Sequence, residues 1–143
     1  MDGEEVRSSC PGAELRCTPA RLDGYEFDFR RLSQRRQGGA ADIVRRANAN
    51  LFGCVWEIPV AERAALDRRE GVPNAYRPLT VTLSTGRGHI RAFTYTVANK
   101  APNPVPPTAE YAQLILNAAR ERRLPLDYRT RLEALMQQLG VVV

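Results

Sequence analysis

The chain has 143 residues, which is enough for a single domain over residues 1–143 with a core of its own. Hydrophobic residues make up 43% of it and charged residues 26%, which excludes a disordered tail, a coiled coil and a collagen-like chain. No apolar run approaches the ~20 residues of a membrane helix, and the acidic N-terminal segment lacks the apolar stretch of a secretory signal. We therefore expect a cytoplasmic protein with no membrane partner.

The formal net charge is +5, and Lys100 is the one lysine among 21 basic residues. A basic protein raises the question of nucleic-acid binding. The arginines, however, are spread along the chain in pairs and form no dense basic run, which is typical of a solvated surface. We therefore expect no nucleic-acid partner.

Cysteine and histidine chemistry is sparse in this sequence. Cys10, Cys17 and Cys54 form no CxxC spacing, and His89 stands alone, so no metal site is expected. Cys54 lies in the apolar stretch LFGCVW and is interpreted as a small core residue. Nothing places a nucleophile beside His89, so a catalytic triad is not expected either.

The N-terminal half favours strands after a possible short helix over 2–9. Residues 24–31 alternate between apolar and polar side chains, which predicts a half-buried strand. After an Arg-rich loop, residues 40–46 predict a short strand. The nearly continuous apolar run 51–58 predicts a central strand buried on both faces.

A helix over 60–70 follows, with Gly71 as its natural end. Alternation over 79–84 and 90–97 then predicts two strands joined by a glycine-containing hairpin turn. In the second of them, the aromatic residues and Val97 share one face.

The C-terminal part predicts two helices after a stiff, proline-rich connection over 101–107. Thr108 can cap the first helix. The apolar stripes predicted for the two helices are Tyr111, Leu114, Ile115 and Ala118, and then Tyr128, Leu132, Leu135 and Leu139. The element order predicts an α+β fold: a small, mainly antiparallel sheet or barrel with helices packed against it.

Glu70 breaks a local rule, because it ends its predicted helix immediately before Gly71. A carboxylate at a helix C-terminus is disfavoured by about 0.3–1 kcal/mol, so we expect its pKa to be raised. A raised pKa is what a general acid/base needs near neutral pH. The structural alternative is an exposed Glu70 that pairs with a neighbouring arginine.

Six segments resemble the γ-glutamylcyclotransferase-like family, which includes AIG2-like proteins and γ-glutamylamine cyclotransferases, and they occur in that family's order. The segments are ARLDGYEFDF (20–29), GGAADI (38–43), FGCVWEI (52–58), LDRREGVPNAY (66–76), AFTYTV (92–97) and PPTAEYAQLILNAARERRLPLDYRTRL (106–132). The most specific is LDxxEG followed five residues later by Tyr76. The resemblance extends from Arg21 to about Leu135.

The resemblance implies a compact mixed barrel and a reaction that needs no cofactor. The substrate would be a γ-glutamyl amide or peptide, whose own α-amine attacks its γ-carbonyl and closes 5-oxoproline. The family motif gives Glu70 the acid/base role and places Tyr76, Tyr95 and Tyr111 in the substrate pocket. Ordinary packing is the alternative interpretation of each tyrosine.

The sequence departs from the family at its N-terminus. Family members begin with a strand that ends in a Tyr-Gly-Ser-Asn loop, and this motif is absent from the sequence. The resemblance therefore implies a missing first strand, weak or no catalysis by this chain, and self-association through an open sheet edge, for example as a homodimer. A naturally divergent N-terminus is the other interpretation.

Three classes of function stay open at this point: a cyclotransferase, a non-catalytic binding module for a small ligand or a protein on the same fold, and a nucleic-acid-binding protein. The leaving amine is also open. The longest irregular connections, 30–38 and 98–107, are the candidate rim of the pocket.

Overall fold

The computed structural model describes residues 8–143, apart from the side chains at positions 14 and 15. The strands are β1 (Glu14–Ser33), β2 (Gly38–Glu57), β3 (Tyr76–Thr85) and β4 (Gly88–Val97), and the helices are α1 (Arg63–Arg69), α2 (Ala109–Glu121) and α3 (Leu126–Gln138). A 3-10 turn (Val60–Glu62) precedes α1. The helix predicted over 2–9 lies outside the described residues except for its last two. None of the described helices is long and apolar enough to cross a membrane.

The four strands form one antiparallel sheet in the order β2-β1-β3-β4. The predicted α+β class with a mainly antiparallel sheet is therefore confirmed. The prediction that 51–58 is a central strand buried on both faces is wrong. This segment belongs to the edge strand β2, and Leu51–Trp56 are half-buried because β2 pairs only with β1 and its apolar face lines a cavity.

The strands predicted over 40–46 and 51–58 are two parts of the 20-residue strand β2. Between them the register jumps: Asp23 lies opposite Asn50, whereas Tyr25 lies opposite Arg45. The backbone is left-handed at both sides of this irregularity, with φ of +82° at Gly24 and +64° at Asn48. Glycine and asparagine tolerate that conformation, so the ladder can bend here without ending.

The main core lies between the β1–β2 hairpin and the two C-terminal helices. Phe29 of β1 is fully buried against both helices. In α2 the buried residues are Ala112, Leu116 and Ala119, one position away from the predicted stripe. Within that stripe, Tyr111 and Ile115 are partly buried and pack against the core, whereas Leu114 lines a cavity beside the sheet and remains 49% exposed. The stripe predicted for α3 does pack on the core, where Met136 joins it.

Cys54 is not the simple core residue that its apolar neighbours predicted. It is half-buried and forms a disulfide with Cys17 of β1, across a Cα–Cα distance of 5.1 Å. Cys10 is buried and free. Because disulfides persist mainly in oxidising compartments, this pair does not support the cytoplasmic location, which stays a prediction.

Gly39 sits where β2 begins and the proline-rich connection passes closest to the sheet. Its amide donates to the Pro106 carbonyl (2.8 Å), and a Cβ at this position would overlap with the Val105 carbonyl oxygen. Gly39→Ala is therefore expected to lower the free energy of unfolding by about 1–3 kcal/mol in urea denaturation. Gly53→Ala in the same strand is the control, because a Cβ there meets nothing within 4 Å. Equal losses in the two variants would contradict this explanation.

Candidate active site

Glu70 is the C-cap residue of α1, as the helix-end pattern predicted. Its amide donates to the Leu66 carbonyl (3.0 Å), and Gly71 follows with φ of +66° and donates to Arg68 (3.1 Å). The left-handed glycine ends the helix, so the Glu70 side chain leaves it at the last turn. The residue is half-buried and lines a cavity of about 540 Å³.

The same cavity is lined by all three tyrosines of the predicted pocket, Tyr76, Tyr95 and Tyr111. They come from three different elements: the start of β3, the end of β4 and the first turn of α2. Tyr76 and Tyr95 share a sheet face because Tyr95 pairs with Pro78, two residues beyond Tyr76. The fold therefore brings the four predicted site residues together, while their roles stay predictions.

The hydroxyls of Tyr76 and Tyr95 each donate to a protein oxygen. Tyr76 donates to the Ala41 carbonyl at 2.8 Å, and Tyr95 donates to Asp67 Oδ1 at 2.5 Å. Burial raises the pKa of both phenols; Tyr111 and Glu70 add to the shift at Tyr76, and the Asp67 hydrogen bond adds to it at Tyr95. Both residues therefore enter the site as neutral phenols.

Tyr111 is fixed at the N-terminus of α2. The Thr108 side chain caps this helix by accepting from the Tyr111 amide at 3.2 Å, as predicted. The Tyr111 ring packs edge-on against Phe29, and the guanidinium of Arg36 lies 4.0 Å from its centroid. Tyr111 thus connects the core to the wall of the cavity.

Arginines also line the cavity, although the sequence analysis assigned the arginines to solvated surface. The lining contains four of them, at positions 31, 35, 36 and 69, against the two carboxylates Asp42 and Glu70. Three of these arginines belong to the predicted rim segment 30–38. Among the described residues, the other predicted rim segment, 98–107, contributes none to the lining.

Asp42 is a buried member of the lining that sequence reasoning missed. Its Oδ1 accepts from the amides of Ile43 (2.8 Å) and Val97 (2.9 Å) and from Thr96 Oγ1 (2.9 Å). Its Oδ2 lies 2.5 Å from Lys100 Nζ. The carboxylate is therefore fully engaged, and it joins β2 to the end of β4.

A second, mainly apolar cavity of about 690 Å³ adjoins the first. The edge strands β2 and β4 both line it, through residues such as Leu51, Trp56 and Phe93. Thr94 and Tyr95 belong to both cavities. Because β2 and β4 are not paired with each other, the sheet of the described residues does not close into a barrel, and this cavity lies between its two edge strands.

No group of three or more His, Cys, Asp or Glu side chains suited to a metal ion occurs among residues 8–143 as described. His89 is exposed in the β3–β4 hairpin, opposite Ser84, and is absent from the lining of the Glu70 cavity.

This sheet, its three helices and the placement of the cavity define a protein of the γ-glutamylcyclotransferase-like fold. A solved structure of a γ-glutamyl cyclotransferase superposes with a TM-score of 0.82 at 30% identity, covering 92% of this chain and 79% of that one. The model of the AIG2-like family matches residues 50–132. The chain therefore belongs to the AIG2-like, or γ-glutamylcyclotransferase, family.

The curated relatives are themselves γ-glutamylcyclotransferases. The bovine (Bos taurus) protein is 33% identical over 122 residues, which cover 81% of this chain and 64% of the bovine one. The human (Homo sapiens) protein is 30% identical over 138 residues, which cover 92% of this chain and 72% of the human one. The chain thus spans about two thirds of the length of these relatives.

Proposed function

We propose that this chain is a γ-glutamylcyclotransferase that releases 5-oxoproline and a free amine from a γ-glutamyl amide or peptide. The observation that supports the proposal best is the position of Glu70. The carboxylate of the LDxxEG motif lines one cavity with Tyr76, Tyr95 and Tyr111, in a chain whose relatives are γ-glutamylcyclotransferases.

The substrate brings its own nucleophile, so the protein has to supply orientation and proton transfer. The cavity folds the glutamyl group so that its α-amine meets its γ-carbonyl. Binding thereby meets in advance the entropy cost of bringing the two reacting groups together. The new N–C bond closes the five-membered lactam, and the original amide C–N bond breaks. The α-nitrogen loses two protons as it changes from an ammonium to the lactam N–H, and Glu70 passes them in turn to the departing amine, which leaves as an ammonium. No cofactor takes part in this proposal.

The arginines of the cavity favour a leaving amine that itself carries a carboxylate. Four arginines line the cavity, and guanidinium groups bind carboxylates through charge-assisted, often bidentate hydrogen bonds. The preferred substrates would then be γ-glutamyl amino acids or γ-glutamyl peptides, and not conjugates of simple amines.

A matched substrate pair tests the function and this preference together. γ-Glutamyl-L-alanine and γ-glutamylethylamide differ only by the carboxylate of the leaving group. We expect 5-oxoproline from the alanine conjugate, with kcat/KM higher by about tenfold or more, because one charge-assisted hydrogen bond contributes about 1.5–3 kcal/mol. Equal kcat/KM values would contradict the preference, and no 5-oxoproline from either compound would contradict the proposed reaction.

The alternative functions predict different experimental results. A binding module would bind γ-glutamyl-L-alanine in calorimetry and release no 5-oxoproline. A nucleic-acid-binding protein would bind DNA or RNA with an affinity that falls steeply with salt. Self-association as a homodimer stays a prediction, which the size of the protein in solution would check.

A further inference from the structure

Asp67 is a second carboxylate next to the candidate site, and the proposed mechanism does not use it. It lies in α1, three residues before Glu70, and its Oδ1 accepts the hydroxyl proton of Tyr95 at 2.5 Å. Asp67 also forms an ion pair with Arg63, whose Nε lies 4.0 Å from Asp67 Oδ1. Asp67 itself is not among the residues that line the cavity, whereas Tyr95 is.

The Asp67 contact decides which hydrogen bonds Tyr95 can offer to a ligand. A phenol has one proton, and Tyr95 donates it to Asp67. The oxygen then presents only lone pairs toward the cavity. Tyr76 is in the same situation, because its proton goes to the Ala41 carbonyl.

The cavity lining therefore contains both acceptors and donors. Two phenol oxygens and the Glu70 carboxylate are acceptors, and the four arginines are donors. A group that only donates, such as an ammonium, suits the acceptors. The α-ammonium of a γ-glutamyl substrate is such a group, and in the proposed mechanism Glu70 takes its proton.

We infer that Asp67 is a positioning residue, which fixes Tyr95 as a hydrogen-bond acceptor for the α-ammonium of the substrate. The inference rests on the proposed function, since it assigns the acceptors of the cavity to that substrate. Tyr95 holds the ammonium before the proton moves to Glu70 and the neutral amine afterwards. Its loss therefore weakens substrate binding more than it slows the chemical step.

Steady-state kinetics with γ-glutamyl-L-alanine test the inference. Tyr95→Phe is expected to raise KM by about tenfold or more, with kcat changed by less than about threefold. Asp67→Ala removes the acceptor of the Tyr95 proton, so that Tyr95 can turn its proton toward the ligand, and it is expected to raise KM in the same direction. Because Asp67 acts through Tyr95, adding Asp67→Ala to Tyr95→Phe should raise KM no further. A further rise in the double variant would overturn the inference.

Asp127→Ala is the matched control. Asp127 also pairs with an arginine at (i, i+4) spacing, at 3.9 Å from Arg131, but it lies in α3 and is absent from the cavity. We expect its KM and kcat to equal those of the wild type. Thermal denaturation of each variant shows whether the fold is kept, and a KM rise in a variant with an unchanged melting temperature supports the positioning role.

A binding measurement separates this inference from the reaction itself. Glutaryl-L-alanine matches γ-glutamyl-L-alanine except that it lacks the α-amino group and cannot cyclise. Calorimetry in the Glu70→Gln background, or with the wild type if it shows no turnover, should give tighter binding of the γ-glutamyl compound. Adding Tyr95→Phe should lower that preference by about tenfold or more. An unchanged preference in Tyr95→Phe, or none at the outset, would overturn the inference whether or not 5-oxoproline is released.

Discussion

Glu70→Gln is expected to lower the kcat for 5-oxoproline release by about 100- to 10,000-fold, the range that general acid–base catalysis contributes. Glutamine keeps the length and shape of the side chain, and the backbone bonds that end α1 at Glu70 do not involve the side chain. The amide cannot take the ammonium proton, however, so the attacking amine is not generated in the cavity. The measurement is the rate of 5-oxoproline formation at saturating γ-glutamyl-L-alanine.

Glu121→Gln is the matched control for this prediction, since Glu121 is an exposed residue of α2 that is absent from the cavity. Its kcat should equal that of the wild type. A kcat of Glu70→Gln within about threefold of the wild type would instead favour the structural interpretation of Glu70, in which the carboxylate only pairs with an arginine.

Local patterns were sufficient to predict Glu70 and most of the secondary structure. Alternation located β3 and β4, and the combination of a charged helix end with Gly71 pointed to Glu70 because both signals lie within a few residues. Thr108 was identified as a helix cap for the same reason. The tyrosines needed the family motif, since an aromatic residue in an apolar stripe looks the same whether it faces a core or a cavity.

Features that depend on distant pairing could not be predicted. The run 51–58 is apolar because it faces a cavity between the two edges of the sheet, and an apolar run alone cannot distinguish that from burial on both faces. Cys17 and Cys54 meet only because the β1–β2 hairpin brings together residues 37 positions apart.

Asp67 and the arginines of the cavity were missed for a related reason. Asp67 lies four residues after Arg63 on a helix, which is the spacing of an ordinary surface ion pair. Its hydrogen bond with Tyr95 joins residues 28 positions apart, and no local sequence pattern indicates it. The arginine pairs are likewise indistinguishable from solvated surface until the fold brings Arg31 and Arg36 into one lining with Arg69 and Glu70.

Asp42→Ala is expected to lower the free energy of unfolding by about 3–5 kcal/mol, as for other buried charge pairs that lose one partner. The Asp42 side chain is completely buried, and its oxygens accept from two backbone amides, Thr96 and Lys100. Its removal leaves those donors without their acceptor in the protein interior. Because β2 and β4 are the two edges of the sheet, it also removes a connection that joins them across the open side.

Urea denaturation measures this loss, and Asp23→Ala provides the control. Asp23 also accepts from an arginine, Arg21, at 2.8 Å, but its side chain is 59% exposed. An exposed pair of this kind contributes about 0–1 kcal/mol, so the control should stay within that range of the wild type. If the free energy of unfolding fell no further in Asp42→Ala than in the control, the cost of burying the carboxylate would equal the gain from its hydrogen bonds. The connection between the sheet edges would then orient the cavity without stabilising the fold.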